Sequence, residues 1–106
     1  MSAVLGAALL LASSWCQEAR ITAYVRSEYG PYTYDGTSIW EEGIAAASWN
    51  IPIDSVVEVE GLGTYRIADR GMLGSSGWVD IAVWSRSEAY ALTSTRTVCI
   101  YPPEGR

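Results

Sequence analysis

Residues 67–84 read IADRGMLGSSGWVDIAVW, two apolar runs that each carry one aspartate and are joined by a loop with three glycines. The second run, Trp78 to Trp84, alternates with the period of a strand. Val79, Ile81 and Val83 fall on one face, and Trp78, Asp80, Ala82 and Trp84 on the other. Asp80 stands mid-strand between Val79 and Ile81, where a charged side chain is unfavourable unless it is satisfied or used. Its own face also bears Trp78 and Trp84, so its carboxyl is expected on an aromatic surface. Desolvation there would raise its pKa, as a general acid needs near neutral pH.

Working outward, Val56 to Glu60 alternates with Val57 and Val59 inward, and Gly61-Leu62-Gly63 turns the chain into Thr64 to Ala68, a hairpin. Arg20 to Val25 is a β-branched and aromatic strand, and Thr97 to Tyr101 is another, stopped by Pro102-Pro103. Ile44 to Ala47 is short and apolar, following a Tyr-, Gly- and Pro-containing loop from Ser27 to Gly43. Asn50 to Asp54 is a turn, since Pro52 cannot donate to a ladder. Ser85-Arg86-Ser87-Glu88 is a capping box, which predicts a helix from about Arg86 to Leu92. The sum is a mainly β domain of about six short strands and one short helix. A small closed barrel is the expected arrangement, because closure removes exposed edges.

The composition narrows the chemistry. The 106 residues include no His, which removes Ser-His-Asp and Cys-His nucleophile systems and imidazole metal sites. Two Cys cannot build a four-thiolate zinc site, so neither a metal nor another cofactor is expected. The net charge is −5 and no Lys is present, which disfavours nucleic acid as a partner. The dinucleotide fingerprint, the nucleophile elbow, the phosphate loop and the EF-hand are all missing. Carboxylates therefore lead.

Residues 1–16 carry no charged side chain, and their apolar core, Ala3 to Ala12, is the length of a signal-peptide h-region and too short to span a bilayer. The expected organisation is a leader over 1–16 and a domain over 17–106, placing the protein outside the cell or in its envelope. A buried N-terminal helix is one alternative, and a lipoprotein lipidated at Cys16 is another, disfavoured by Trp15 where a small residue is needed. Cys16 and Cys99 either pair in an oxidising exterior or leave Cys99, inside Val98-Cys99-Ile100, as a small buried hydrophobe. The pattern leans slightly toward the second.

Two readings stand for Asp69 and Asp80. Neighbouring strands could bring the carboxylates close enough to bias each other's protonation, with Arg70 as a nearby cation. Alternatively, Asp69 caps the Gly71–Gly77 loop and Asp80 accepts backbone hydrogen bonds from it. The aromatic set, five Trp and seven Tyr without Phe, suits stacking on sugar rings and suits an ordinary core equally.

From Arg20 to Tyr101 the chain resembles the three-aspartate ("3D") domain of bacterial cell-wall enzymes, of the membrane-bound lytic transglycosylase A and Bacillus stationary-phase muralytic types. The pieces in order are ITAY at Ile21–Tyr24, DGT at Asp35–Thr37, Ile51-Pro52, VVEVEGLG at Val56–Gly63 and ADRG at Ala68–Gly71. VDIAV at Val79–Val83, SRSEAYAL at Ser85–Leu92 and TVCIY at Thr97–Tyr101 complete the series. The pair ADRG and VDIAV with a glycine loop between is the specific part. The resemblance implies a six-stranded double-psi β-barrel.

It further implies a lytic transglycosylase acting on peptidoglycan. Protonated Asp80 would give its proton to the glycosidic oxygen between N-acetylmuramic acid and N-acetylglucosamine. It would then take the proton of the muramic 6-hydroxyl as that oxygen closes a 1,6-anhydro ring. Asp69 would tune Asp80, and Ser48, Arg70, Gly71, Trp78 and Tyr34 would hold the glycan. The family's first aspartate falls at Ser48, and its glycine after Ile-Pro-x falls at Asp54. The missing aspartate favours a second expectation, a non-catalytic glycan-binding barrel of the expansin type. A third is a hydrolase of another β-1,4-glycan.

Overall fold

The structure, a computed structural model, describes residues 13–71 and 76–103. Most of the expected leader and the middle of the glycine loop lie outside the described residues. Six strands and one helix follow in order: β1 (Trp15–Val25), β2 (Ile44–Ala47), β3 (Val56–Val59), β4 (Gly63–Arg70), β5 (Trp78–Val83), α1 (Arg86–Leu92) and β6 (Ser94–Tyr101). They close into a barrel in the order β1-β5-β2-β4-β3-β6. Two pairs are parallel, β1 with β5 and β2 with β4, and the other four are antiparallel. This is the mainly β, double-psi architecture.

The barrel fills with β-branched residues from every strand. Ile21, Val57, Val59, Ile67, Val79, Ile81, Val98 and Ile100 are all buried in one cluster, with Ala19, Ala45 and Ala47 among them. Each buried Ile or Val stabilises the fold by about 1.5–3 kcal/mol relative to exposure. The inward set of β5 is the one its alternation predicts. Helix α1 starts where its capping box places it, with Ser85 Oγ accepting the Glu88 N–H at 3.3 Å.

Strands β1 and β6 are longer than the sequence suggests. They pair antiparallel from Trp15 opposite Ile100 to Ile21 opposite Ser94, so Trp15 and Cys16 belong to the barrel wall. Cys16 and Cys99 stand directly opposite each other and are joined by a disulfide. Cys99 is half-buried on the outer face, with only its neighbours Val98 and Ile100 pointing inward. The apolar run around Cys99 is thus a strand seen from both faces.

A second apolar cluster lies outside the barrel, formed by Tyr24, Ile44, Ala46, Ala68 and Ala82 on four strands and capped by Ile39 from the loop before β2. Arg26 holds that loop down. It is 2% exposed, and its guanidinium donates to the carbonyls of Ile39 (2.8 Å), Glu41 (2.5 Å) and Ala82 (3.2 Å). It also lies 4.4 Å from the Trp84 ring centroid, and Trp84 stacks with Trp40. Arg66 fastens the same loop from β4 through Asp35, Glu41 and Thr37, and reaches Asp54 as well.

Candidate functional site: a groove between two aspartates

A register shift builds the site. Ala45 pairs with Ile67 but Ala46 pairs with Asp69, so Ala68 is an extra residue in β4. Such a bulge breaks the in–out alternation. Ile67 remains in the barrel core, Ala68 joins the outer cluster, and Asp69 follows on the outer face opposite Ala46. On the other side of β2, Ala46 pairs with Asp80, and Asp80 in turn pairs with Thr22. Thr22, Asp80, Ala46 and Asp69 therefore form one row across four strands.

The carboxylates do not sit on neighbouring strands, as the joining loop suggested; β2 runs between them. Two strand spacings put their backbones about 10 Å apart. Ala46, with a single methyl, leaves the floor between them low. The row opens as a groove of about 240 Å³ lined by Thr22, Tyr24, Tyr29, Ala46, Asp69, Arg70, Gly71 and Asp80. That is less than the roughly 300–1,000 Å³ of pockets that engulf a ligand. It is a shallow, open recess rather than an enclosing pocket.

Each aspartate is fixed differently. Asp69 Oδ1 accepts the backbone N–H of Arg70 (2.8 Å) and that of Tyr34 (3.0 Å), so the loop before β2 orients it. Asp80 Oδ1 accepts the Thr22 hydroxyl at 2.8 Å, and Thr22 Oγ1 in turn accepts the Trp78 indole N–H at 2.9 Å. Burial is the strongest influence on the Asp80 carboxyl and pushes its pKa above the ordinary value. The Thr22 hydrogen bond pulls it down, and the Asp69 charge raises it again. No cluster able to hold a metal ion occurs among the described residues.

The other expected contacts divide. Arg70 and Gly71 line the groove with the two aspartates. Arg70 also donates from Nη1 to the carbonyls of Ser48 and Ile51, and its guanidinium lies 4.7 Å from the Trp49 ring centroid. Trp49, 65% exposed, meets Tyr34 edge-to-face at 5.9 Å. Tyr34 thus stands beside the groove, in an aromatic wall on the β4 side.

Ser48 and Trp78 lie elsewhere. Ser48 is 1% exposed, and its hydroxyl accepts the Trp78 N–H (2.9 Å) and donates to the Trp78 carbonyl (3.1 Å). It ties β2 to the start of β5 from below and does not face the groove. Trp78 is half-buried, with its indole N–H held by Thr22. It supports Asp80 at second hand.

Sequence reasoning missed Thr22, Tyr24, Tyr29 and Trp49 as site residues. Thr22 and Tyr24 were visible as alternate positions of a strand, but their partner β5 was not. The aromatics resolve mostly as surface: Tyr29, Tyr32, Tyr34, Trp40, Trp49, Trp84 and Tyr90 are exposed, while Ile and Val fill the barrel.

The sequence matches no family model and no curated protein. Among solved structures, it is similar to the crystal structure of an expansin from Clavibacter michiganensis. The TM-score is 0.55 at 14% identity, over 87% of this chain and 52% of that one. The likeness is one of fold, and this chain spans about half the length of that expansin. No helix among the described residues is long and apolar enough to cross a membrane.

Proposed function

We propose that the barrel is a cell-wall glycan-binding module of the expansin kind, acting outside the cell or in its envelope, and that its groove takes one sugar of a β-1,4-linked strand such as peptidoglycan. The observation that carries this reading is the row Thr22–Asp80–Ala46–Asp69, with exposed aromatic rings on both sides. Carboxylates on either side of Ala46 accept hydrogen bonds from sugar hydroxyls, and the exposed rings of Tyr29, Tyr34 and Trp49 suit contact with the apolar side of a pyranose. Binding is favoured over cleavage by the tethering of Asp80 to Thr22 and by the burial of Ser48, where the three-aspartate resemblance has its first acid. The expansin likeness supports the same reading.

One observation favours a second reading, the lytic transglycosylase. The raised Asp80 pKa suits an acid that protonates the glycosidic oxygen and then takes the proton from the attacking 6-hydroxyl of the same muramic sugar. Incubating the whole chain with insoluble peptidoglycan and with cellulose separates the cases. Retention on either solid without soluble products is the expected result. Products ending in 1,6-anhydromuramic acid, found by mass spectrometry and lost in Asp80→Asn, would move the assignment to the transglycosylase. New reducing ends would indicate a hydrolase. Neither retention nor products would overturn the glycan reading.

A further inference from the structure

We propose that the Tyr24 hydroxyl is the donor that fixes a sugar oxygen in the groove, an assignment that rests on the glycan reading above and adds to it a demand on the ligand. Tyr24 projects from β1, opposite Ala82 of β5. Its ring is buried against Ile39, Ile44, Ala46, Ala68 and Ala82 and meets Tyr29 edge-on at 5.2 Å. The residue is 6% exposed, yet its hydroxyl has no hydrogen-bond partner among the described residues.

A buried hydroxyl without a partner is unfavourable, and the ring alone would satisfy the apolar cluster. The hydroxyl therefore calls for an explanation the packing does not supply, and its place supplies one. Tyr24 lines the groove with Asp69 and Asp80. Burial first, and then the charges of those two aspartates, hold the phenol well above its ordinary pKa, so it stays protonated. As ions, the carboxylates can only accept hydrogen bonds, and the Thr22 hydroxyl already gives its proton to Asp80. Tyr24 is thus an uncommitted donor in a groove with two acceptors, alongside the buried Nε of Arg70.

A ligand that completes this set must offer both a donor and an acceptor at short range. A pyranose hydroxyl does so, giving its proton to a carboxylate while its oxygen accepts from Tyr24. A bare cation or an ammonium group could use the phenol oxygen but would leave the phenol proton without an acceptor.

Tyr24→Phe removes one oxygen atom and keeps the ring. Its melting temperature is expected to equal or exceed that of the native chain, because no protein hydrogen bond is lost and an unpaired buried hydroxyl is removed. Its affinity for cellotetraose or chitotetraose, whichever the native chain binds, and its retention on peptidoglycan should fall roughly tenfold. Equal binding by the native and Phe chains would overturn the role of Tyr24 and leave the groove reading intact. A melting temperature lower by several degrees would also overturn it, since the hydroxyl would then have a protein partner. A native chain that binds neither the oligosaccharides nor the wall would overturn the groove reading and this inference with it.

Discussion

Ser48 invites the substitution that the three-aspartate resemblance suggests, and the structure predicts that restoring the acid does harm. The Ser48 hydroxyl both accepts from and donates to the Trp78 main chain, and the residue is 1% exposed. Ser48→Ala removes the acceptor of the Trp78 N–H, and an unpaired buried amide costs about 2 kcal/mol. Ser48→Asp keeps an acceptor but has no proton for the Trp78 carbonyl, and it sets a second oxygen against it. The nearby Arg70 Nη1 already donates to the carbonyls of Ser48 and Ile51. A buried charge without its own partner costs about 3–5 kcal/mol, a large share of a stability of about 5–15 kcal/mol. Guanidinium unfolding followed by tryptophan fluorescence should rank the native chain above Ser48→Ala and Ser48→Asp last. The Asp deficit should shrink as pH falls toward about 4 and level off below it, where the carboxyl is neutral in both states. A Ser48→Asp chain as stable as the native one, or one that gains glycan cleavage, would place position 48 in the groove and refute the reasoning.

Two further outcomes follow from the same geometry. Arg26→Met keeps much of the stem but leaves the carbonyls of Ile39, Glu41 and Ala82 without their donor, at about 1 kcal/mol each. A loss near 3 kcal/mol is expected, together with a weaker circular-dichroism signal from the Trp40–Trp84 pair; an unchanged melting temperature would deny Arg26 its hold on the loop. For Asp80, a folded pKa raised mainly by burial means the folded state holds the proton more tightly. The stability this contributes is fully present below about pH 4 and is lost as pH rises through the folded value. Asp80→Asn cannot ionise, so its melting temperature should match the native one in acid and exceed it increasingly toward neutrality. A gap that does not change with pH would contradict the burial of the charge.

Much of the barrel was legible because its strands are short and alternate cleanly. Val79, Ile81 and Val83 could face only one way, and Val57 and Val59 likewise. The outward position of Asp80 followed from the same period. The position of Asp69 did not, because its face depends on the extra Ala68, and a bulge depends on the partner strand. The loop after Asp69 suggested adjacency to Asp80, whereas crossover topology inserts β2 between them. Arg26 was unreadable for a similar reason. A guanidinium at the end of a strand looks solvated until three carbonyls from distant segments converge on it. Asp54 shows the limit of reading by resemblance. It stands where the family has glycine and adopts φ 71°, a left-handed conformation that Asp tolerates better than most residues. The turn survives the exchange, and the carboxylate joins Arg66.

The Cys16–Cys99 bridge sets how this module would carry load. It joins the first strand to the last, 83 residues apart in sequence, near the outer ends of both. A pull applied from the two chain ends passes through the sulfur atoms and bypasses residues 17–98. The β1–β6 ladder, which would otherwise unzip one rung at a time, feels little of it. The groove lies within that shielded span, so it keeps its shape under tension as long as the bridge is intact. One covalent bond thus separates the path of the load from the residues that shape the groove.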